Sequence, residues 1–156
     1  MAAPKPVPLE LDAGNIWLAN CSLRPDVAHE AWAMGGLAPV HSTQWLVSEV
    51  QLGAALRAVQ RIPHRKAGPL LIDARFDSAW WLAPLDTAGQ LADVRHATVL
   101  PSGWPLHCPP TTRAVGSRVW LHAPDGSGHL MAPALLAAAL GPGGGPRLPA
   151  EAFGCP

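Results

Sequence analysis

Residues 101–124, PSGWPLHCPPTTRAVGSRVWLHAP, decide the fold. Two short apolar strands are predicted here, at residues 104–108 and at Arg118–His122, on either side of a turn marked by Pro109 and Pro110. Proline has no backbone N–H to donate to a sheet ladder, so the first strand must end before this pair. The stretch therefore predicts a β-sheet with its chain reversals set by proline and glycine.

The segments on either side add further strands and helices. Residues 69–72 and 79–82 predict a hairpin, and residues 43–50 and 96–100 predict two more strands. Helices are predicted over residues 51–62, 86–91 and 131–140, and the first of these has an apolar face made of Leu52, Leu56 and Val59. The predicted fold class is α+β: a mixed, mainly antiparallel sheet of about four to six strands with helices covering one face.

The N-terminal part is less regular. Residues 15–21 fit a helix or a strand equally well. A helix is predicted to begin between Ser22 and Pro25 and to end at the glycines of residues 35–36. Its apolar face carries three residues at helical spacing, Val27, Ala31 and Met34.

Length and composition indicate one globular domain. The chain has 156 residues, of which 49% are hydrophobic and 14% charged, so it can build a core. Prolines near the N-terminus and glycines after residue 140 predict flexible tails at 1–10 and 141–156, around a domain at 11–140. Eleven basic residues balance eleven acidic ones, which argues against a broad nucleic-acid surface.

The number and spacing of the cysteines, together with hydropathy, indicate a cytoplasmic protein. Cys21, Cys108 and Cys155 are odd in number and scattered, so no disulfide framework is predicted. No apolar run approaches the ~20 residues that cross a bilayer, and prolines interrupt the N-terminal stretch where a signal peptide would lie. We expect a cytoplasmic protein without membrane contact. Its richness in Ala, Pro, Gly, Trp and Arg is typical of a high-GC, actinobacterial genome.

Three carboxylates are the candidate catalytic residues: Glu49, Asp73 and Asp77. Asp73 and Asp77 flank the predicted hairpin turn, where Asp is favoured because its side chain bonds the local backbone. We therefore prefer a turn to a metal site for this pair.

A zinc site is the next candidate, since four possible ligands lie close in sequence: His107, Cys108, His122 and His129. His107 and Cys108 are consecutive, so on a strand their side chains face opposite sides of the sheet. They cannot both reach one tetrahedral ion. No metal is predicted. Cys21 and Cys108 are interpreted as small buried residues rather than nucleophiles, and Cys155, in the predicted C-terminal tail, as inert.

A basic cluster is the first candidate contact surface. Its members are Arg57, Arg61, Arg65 and Lys66, with His64 between them. Such a cluster contacts phosphate in some proteins. A solvated helix end, where cations are stabilised by the helix dipole, is the preferred interpretation.

Tryptophans provide the second candidate contact surface. Trp80 and Trp81 are adjacent on a predicted strand, so their rings face opposite sides, and we expect one in the core and one at the surface. A covering helix or tail that buries the second ring is the alternative. Trp120 faces opposite to Val119 and Leu121, and its bulk favours the core side.

Three segments carry a resemblance to a known family: TQWLVSEV (43–50), GPLLIDARFDSAWWLAPLDTA (68–88) and GWPLHCPPTTRAVGSRVWLHAPDGSG (103–128). Together they resemble the later half of the bifunctional DNA primase/polymerase N-terminal family, and within it small actinobacterial members. The resemblance covers residues 43–140. In active members of that superfamily, two acidic residues on one strand hold metal and a nucleoside triphosphate, and a His on a following strand lies near the phosphates.

The chain departs from the family pattern at these positions. The matching strand offers Glu49 alone, with apolar Val47 at the partner position, and the strand AWWLAP (79–84) has no His. Divalent metal in phosphoryl chemistry needs carboxylate oxygens in near-octahedral geometry. The resemblance therefore implies a degenerate relative that is non-catalytic and binds no cofactor.

The favoured hypothesis is a non-catalytic interaction or regulatory module with a primase/polymerase-like fold. Its partner is expected to be a protein or a second copy of the chain, and nucleic acid is a weaker alternative. Two other hypotheses stay open. One is a reduced, metal-dependent nucleotidyl-transfer enzyme that uses the three candidate carboxylates. The other is a small-ligand or peptide-binding accessory protein of a specialised actinobacterial pathway. Metal and nucleotide binding separates the enzyme from the other two.

Overall fold

A computed structural model describes residues 12–141 of the chain. Along these residues the elements follow in the order α1 (Ala13–Cys21), α2 (Pro25–Ala33), β1 (Ala38–His41), β2 (Leu46–Gln51), α3 (Leu52–Val59), a 3-10 turn (His64–Lys66), β3 (Leu70–Asp73), β4 (Ser78–Ala83), α4 (Thr87–Leu91), β5 (Ala97–Val99), β6 (Pro105–Cys108), β7 (Arg118–His122) and α5 (Pro133–Leu140). The predicted tails at 1–10 and 141–156 lie outside the described residues except for Gly141, and so does Cys155.

The strands form two antiparallel sheets. The larger one has five strands in the order β5-β2-β4-β3-β7, and β1 and β6 form a separate two-stranded ribbon. This confirms the α+β class and the predicted hairpin. The proline-flanked strands β6 and β7 do not pair with each other, because β6 joins β1 and β7 joins β3. The four-residue strand β1 was not predicted, since its sequence APVH has too few residues for a clear alternation.

Helices and ribbon cover the large sheet on both faces, so the expectation of one covered face is wrong. On the first face, β1, β6, α1 and α2 pack against Leu71, Trp80 and Trp120. On the second face, α3, α4 and α5 pack against Leu70 and Trp81. The physical reason lies in β4, whose inner residues are apolar on both sides and need two covering layers.

The two tryptophans of β4 take opposite faces, as predicted, but both are buried. Trp80 is 7% exposed and Trp81 is 1% exposed. The expectation that one ring lies at the surface is therefore wrong. Each ring is enclosed by a different layer, because the layers meet the central strand from both sides.

Two helices bury a different side from the predicted one. In α3 the buried residues are Ala54, Ala55 and Ala58, while Leu56 is 41% exposed. Alanines let the helix backbone approach the sheet closely, which leaves the larger Leu56 outside.

Helix α2 shows the same displacement of its apolar face. It buries Ala28 and Trp32 and leaves Val27 and Met34 exposed. The indole Nε1 of Trp32 donates to the Cys108 carbonyl at 2.9 Å, which fixes the face that turns inward.

Strand β7 has the predicted orientation. Trp120 is 7% exposed, whereas its neighbours Val119 and Leu121 are 36% and 41% exposed. The Trp120 indole donates to the Pro109 carbonyl at 3.0 Å, so its one polar atom is satisfied inside the protein.

Candidate functional site

The Asp73 carboxylate is the centre of a buried polar network. Asp73 ends β3 and is 2% exposed. Its Oδ1 accepts the Ser117 hydroxyl at 2.6 Å and the backbone N–H of Arg75 at 3.0 Å. Its Oδ2 accepts Nε of Arg118 at 3.1 Å. A charge at this depth is tolerable because every bond to it is made by a polar or cationic donor.

Arg118 extends the network along the first face of the sheet. Its guanidinium carbon lies 4.5 Å from the centre of the Trp80 ring, and Nη1 donates to the His107 carbonyl at 2.8 Å. The indole Nε1 of the same ring donates to Oε2 of Glu49 at 3.0 Å. A guanidinium and an aromatic ring therefore lie between the two acidic side chains.

Asp77 has a separate, local role. It lies in the β3–β4 turn with φ at 52°, a left-handed conformation that Asp tolerates better than most residues. Both of its carboxylate oxygens accept Nε2 of Gln51 at 2.9 Å. The preferred turn interpretation of Asp73 and Asp77 fits these contacts, since Asp73 also bonds the backbone within the turn.

The three candidate carboxylates therefore do not form one site. Glu49 bonds an indole, Asp73 bonds an arginine and Asp77 bonds a glutamine. Val47, which points to the same face as Glu49, is 2% exposed and belongs to the apolar core. Of the three, only Asp73 is paired with a cation, while Glu49 and Asp77 accept from neutral donors that order their side chains.

Sequence reasoning missed Arg118 and Ser117. A signal for Arg118 was present, since this cation lies on the same side of β7 as the core residue Trp120. A charged residue on a core-facing position is rarely buried unless it is paired. Its partner Asp73 is 45 residues earlier in the chain, so the pair itself has no local signature.

We expect the contacts of Asp73 to stabilise the protein less in acid. Burial raises its pKa, but the hydrogen bonds from Ser117 and Arg118 outweigh burial and hold the pKa below its ordinary value. The stabilisation is complete above the unfolded-state pKa of about 3.9 and is lost as the pH falls through the lower folded-state pKa. Thermal unfolding of the wild type and Asp73→Asn from neutral pH into acid measures this. Their difference in Tm should shrink below about pH 4, and a constant difference would contradict the assignment.

The basic cluster is exposed at the end of α3 and in the 3-10 turn that follows it. Arg57 lies in the last turn of α3, Arg61 follows it, and Arg65 and Lys66 lie in the 3-10 turn. All four are exposed, and among residues 12–141 none of them has a carboxylate within ion-pair distance. Their charges are therefore available to a partner.

Two histidines hold the 3-10 turn against the rest of the protein. The ring of His64 lies 5.7 Å from that of His122 in an edge-on contact, and Nε2 of His129 lies 3.4 Å from the Lys66 carbonyl oxygen. Burial, followed by the charge of His64, lowers the pKa of His122. At neutral pH these contacts are compatible with an uncharged His122.

The proposed zinc ligands are not brought together. Cys108 is buried and His107 is exposed, as strand alternation requires. Across residues 12–141 no three His, Cys, Asp or Glu side chains are grouped so as to hold a metal ion.

The two described cysteines are in environments that disfavour the thiolate. Burial raises the pKa of Cys108, and burial also raises the pKa of Cys21, although the neighbouring Trp45 acts in the opposite direction. Because the thiolate is the nucleophilic form, neither sulfur is activated.

A cleft of about 700 Å³ separates α4 and the turn after it from α5. Its walls are formed mainly by alanines of α5 and by four polar residues, Gln90, Asp93, Arg95 and His96. These polar side chains are exposed to solvent, so the cleft has no enclosed polar group that would orient a ligand.

Comparison with known proteins finds no matching family, no matching curated protein and no matching solved structure. The resemblance to the primase/polymerase family thus stays a prediction carried by the three quoted segments. None of the helices between residues 12 and 141 has the length and apolarity needed to cross a membrane.

Proposed function

We propose that this protein is a non-catalytic interaction module with a primase/polymerase-like α+β fold. The observation that carries the proposal is that the three candidate carboxylates bond separate partners and do not converge. Asp73 is 2% exposed and paired with Arg118, and Glu49 accepts the Trp80 indole. A metal ion would have to displace these donors before it reached either oxygen of Asp73 or Oε2 of Glu49.

The contact surface that fits this proposal is the basic cluster. Trp80 and Trp81 are enclosed by the two covering layers and offer no exposed ring to a partner. Arg57, Arg61 and the cations of the 3-10 turn are exposed and have no paired carboxylate among the described residues. A protein partner is favoured, with nucleic acid as the weaker alternative.

Titration with Mn²⁺ and nucleoside triphosphates, followed by a template-dependent incorporation assay, tests the non-catalytic part. We expect no incorporation by the wild type. Glu49→Gln should behave identically, and Glu30→Gln, at an exposed carboxylate of α2 outside the candidate set, serves as the matched control. Incorporation by the wild type that disappears in Glu49→Gln would refute the proposal and support a reduced nucleotidyl-transfer enzyme.

A further inference from the structure

The basic cluster lies in a stretch of sequence without any acidic residue. Residues 50–72 contain four of the chain's eleven lysines and arginines and no Asp or Glu, although the whole chain has no net charge. We infer that this surface, here called the basic segment (Arg57, Arg61, His64, Arg65 and Lys66), binds an acidic peptide that carries an apolar residue. The inference rests on the proposed interaction function and names the chemistry of its partner.

Arg57, in the last turn of α3, and Arg61, just beyond the end of that helix, form one cationic row. Nη1 of Arg61 donates to the Arg57 carbonyl at 3.2 Å. A Cβ on Gly53 would lie 3.5 Å from Nη1 of Arg57, so this guanidinium reaches back over the glycine along the helix. Arginine pairs with a carboxylate through two parallel hydrogen bonds, which suits a row of acidic side chains.

An apolar contact lies beside this row. Leu56 precedes Arg57 in α3 and is 41% exposed, because the alanines of the helix take the buried side. A partner with only negative charge would leave Leu56 in water. A partner that alternates acidic and apolar residues would cover it while reaching both arginines.

A carboxylate marks one end of the basic segment and limits its length. A Cβ added at Gly53 would lie 3.2 Å from Oε1 of Gln51, and Nε2 of the same Gln51 side chain donates to both oxygens of Asp77. The exposed Asp77 therefore lies near the Arg57 end and repels any anionic partner there, so the cationic surface is short. Nucleic-acid surfaces are usually broader and strongly basic, whereas four cations within ten residues match a short peptide.

Fluorescence anisotropy at low salt tests the inference with a labelled peptide of Glu-Glu-Leu repeats. Peptides of Gln-Gln-Leu and Glu-Glu-Ser repeats separate the contributions of charge and of the apolar residue, and a short oligothymidylate represents nucleic acid. We expect the Glu-Glu-Leu peptide to bind tightest. The double variant Arg57→Gln/Arg61→Gln should bind it about tenfold more weakly. Arg95→Gln, at an exposed cation between α4 and β5 that is outside the basic segment, is the matched control and should bind normally.

Three results would overturn the inference: no binding of the Glu-Glu-Leu peptide, equal weakening by the control variant, or tighter binding of oligothymidylate that competes with the peptide. Leu56→Ser should weaken binding of the Glu-Glu-Leu peptide and leave binding of the Glu-Glu-Ser peptide unchanged. Loss of binding of both peptides in this variant would also contradict the inference. Failure here removes the acidic partner and leaves the non-catalytic proposal intact. Nucleotide incorporation would remove that proposal whatever the peptides do.

Discussion

Replacing Trp120 with Ala should lower the free energy of unfolding by about 3–5 kcal/mol, as large-to-small changes in a core do. The indole is 7% exposed and packs in the layer formed with α1, α2 and the ribbon. The substitution would leave a cavity there and would also remove the hydrogen bond to the Pro109 carbonyl. Chemical denaturation followed by circular dichroism measures the change.

Leu121→Ala is the matched control for this experiment. Leu121 is the next residue of β7, faces the other side of the sheet and is 41% exposed. Surface substitutions of this kind usually change stability by about 0.5 kcal/mol or less. Equal midpoints for Trp120→Ala and the wild type would contradict the orientation of β7.

Asp73→Ala should be the second strongly destabilising substitution, at about 3 kcal/mol, because it leaves a largely buried guanidinium without its carboxylate. The side chain of Arg118 is 14% exposed, so water replaces Asp73 only in part. Differential scanning calorimetry at neutral pH measures the loss. Asp93→Ala, at an exposed carboxylate in the turn after α4, is the matched control and should change Tm little.

A double-mutant cycle separates the ion pair from other effects of the substitution. Asp73→Ala/Arg118→Met removes both charges. The free energy of unfolding lost by this double variant should therefore be smaller, by about 1–3 kcal/mol, than the sum lost by the two single variants. Additive losses would show that Asp73 acts only through the β3–β4 turn.

Much of the element order was predictable because local signals decide it. Prolines correctly predicted the end of β6 and the start of α5. Alternation of side chains correctly predicted the β3–β4 hairpin and the strand Arg118–His122. The strand predicted at residues 43–50 is β2, shifted towards its C-terminal side. These features depend on residues close in sequence, where backbone sterics act directly.

The faces of the helices and the candidate site were predicted poorly, for a different physical reason. Apolar spacing singled out Leu56 in α3, but close approach of the helix to the sheet favoured its alanines. The partners of Asp73 and Trp80 come from strands that are distant in sequence. These contacts depend on how the helices and the ribbon pack against the sheet, and no local pattern in the sequence predicts that packing.

Strand β4 has a consequence for cooperativity. It lies in the middle of the five-stranded sheet and presents one indole to each covering layer. Neither layer can separate from the sheet without bringing Trp80 or Trp81 into water, and both rings are attached to the same short backbone segment. Unfolding of the two halves is thereby coupled through a single strand.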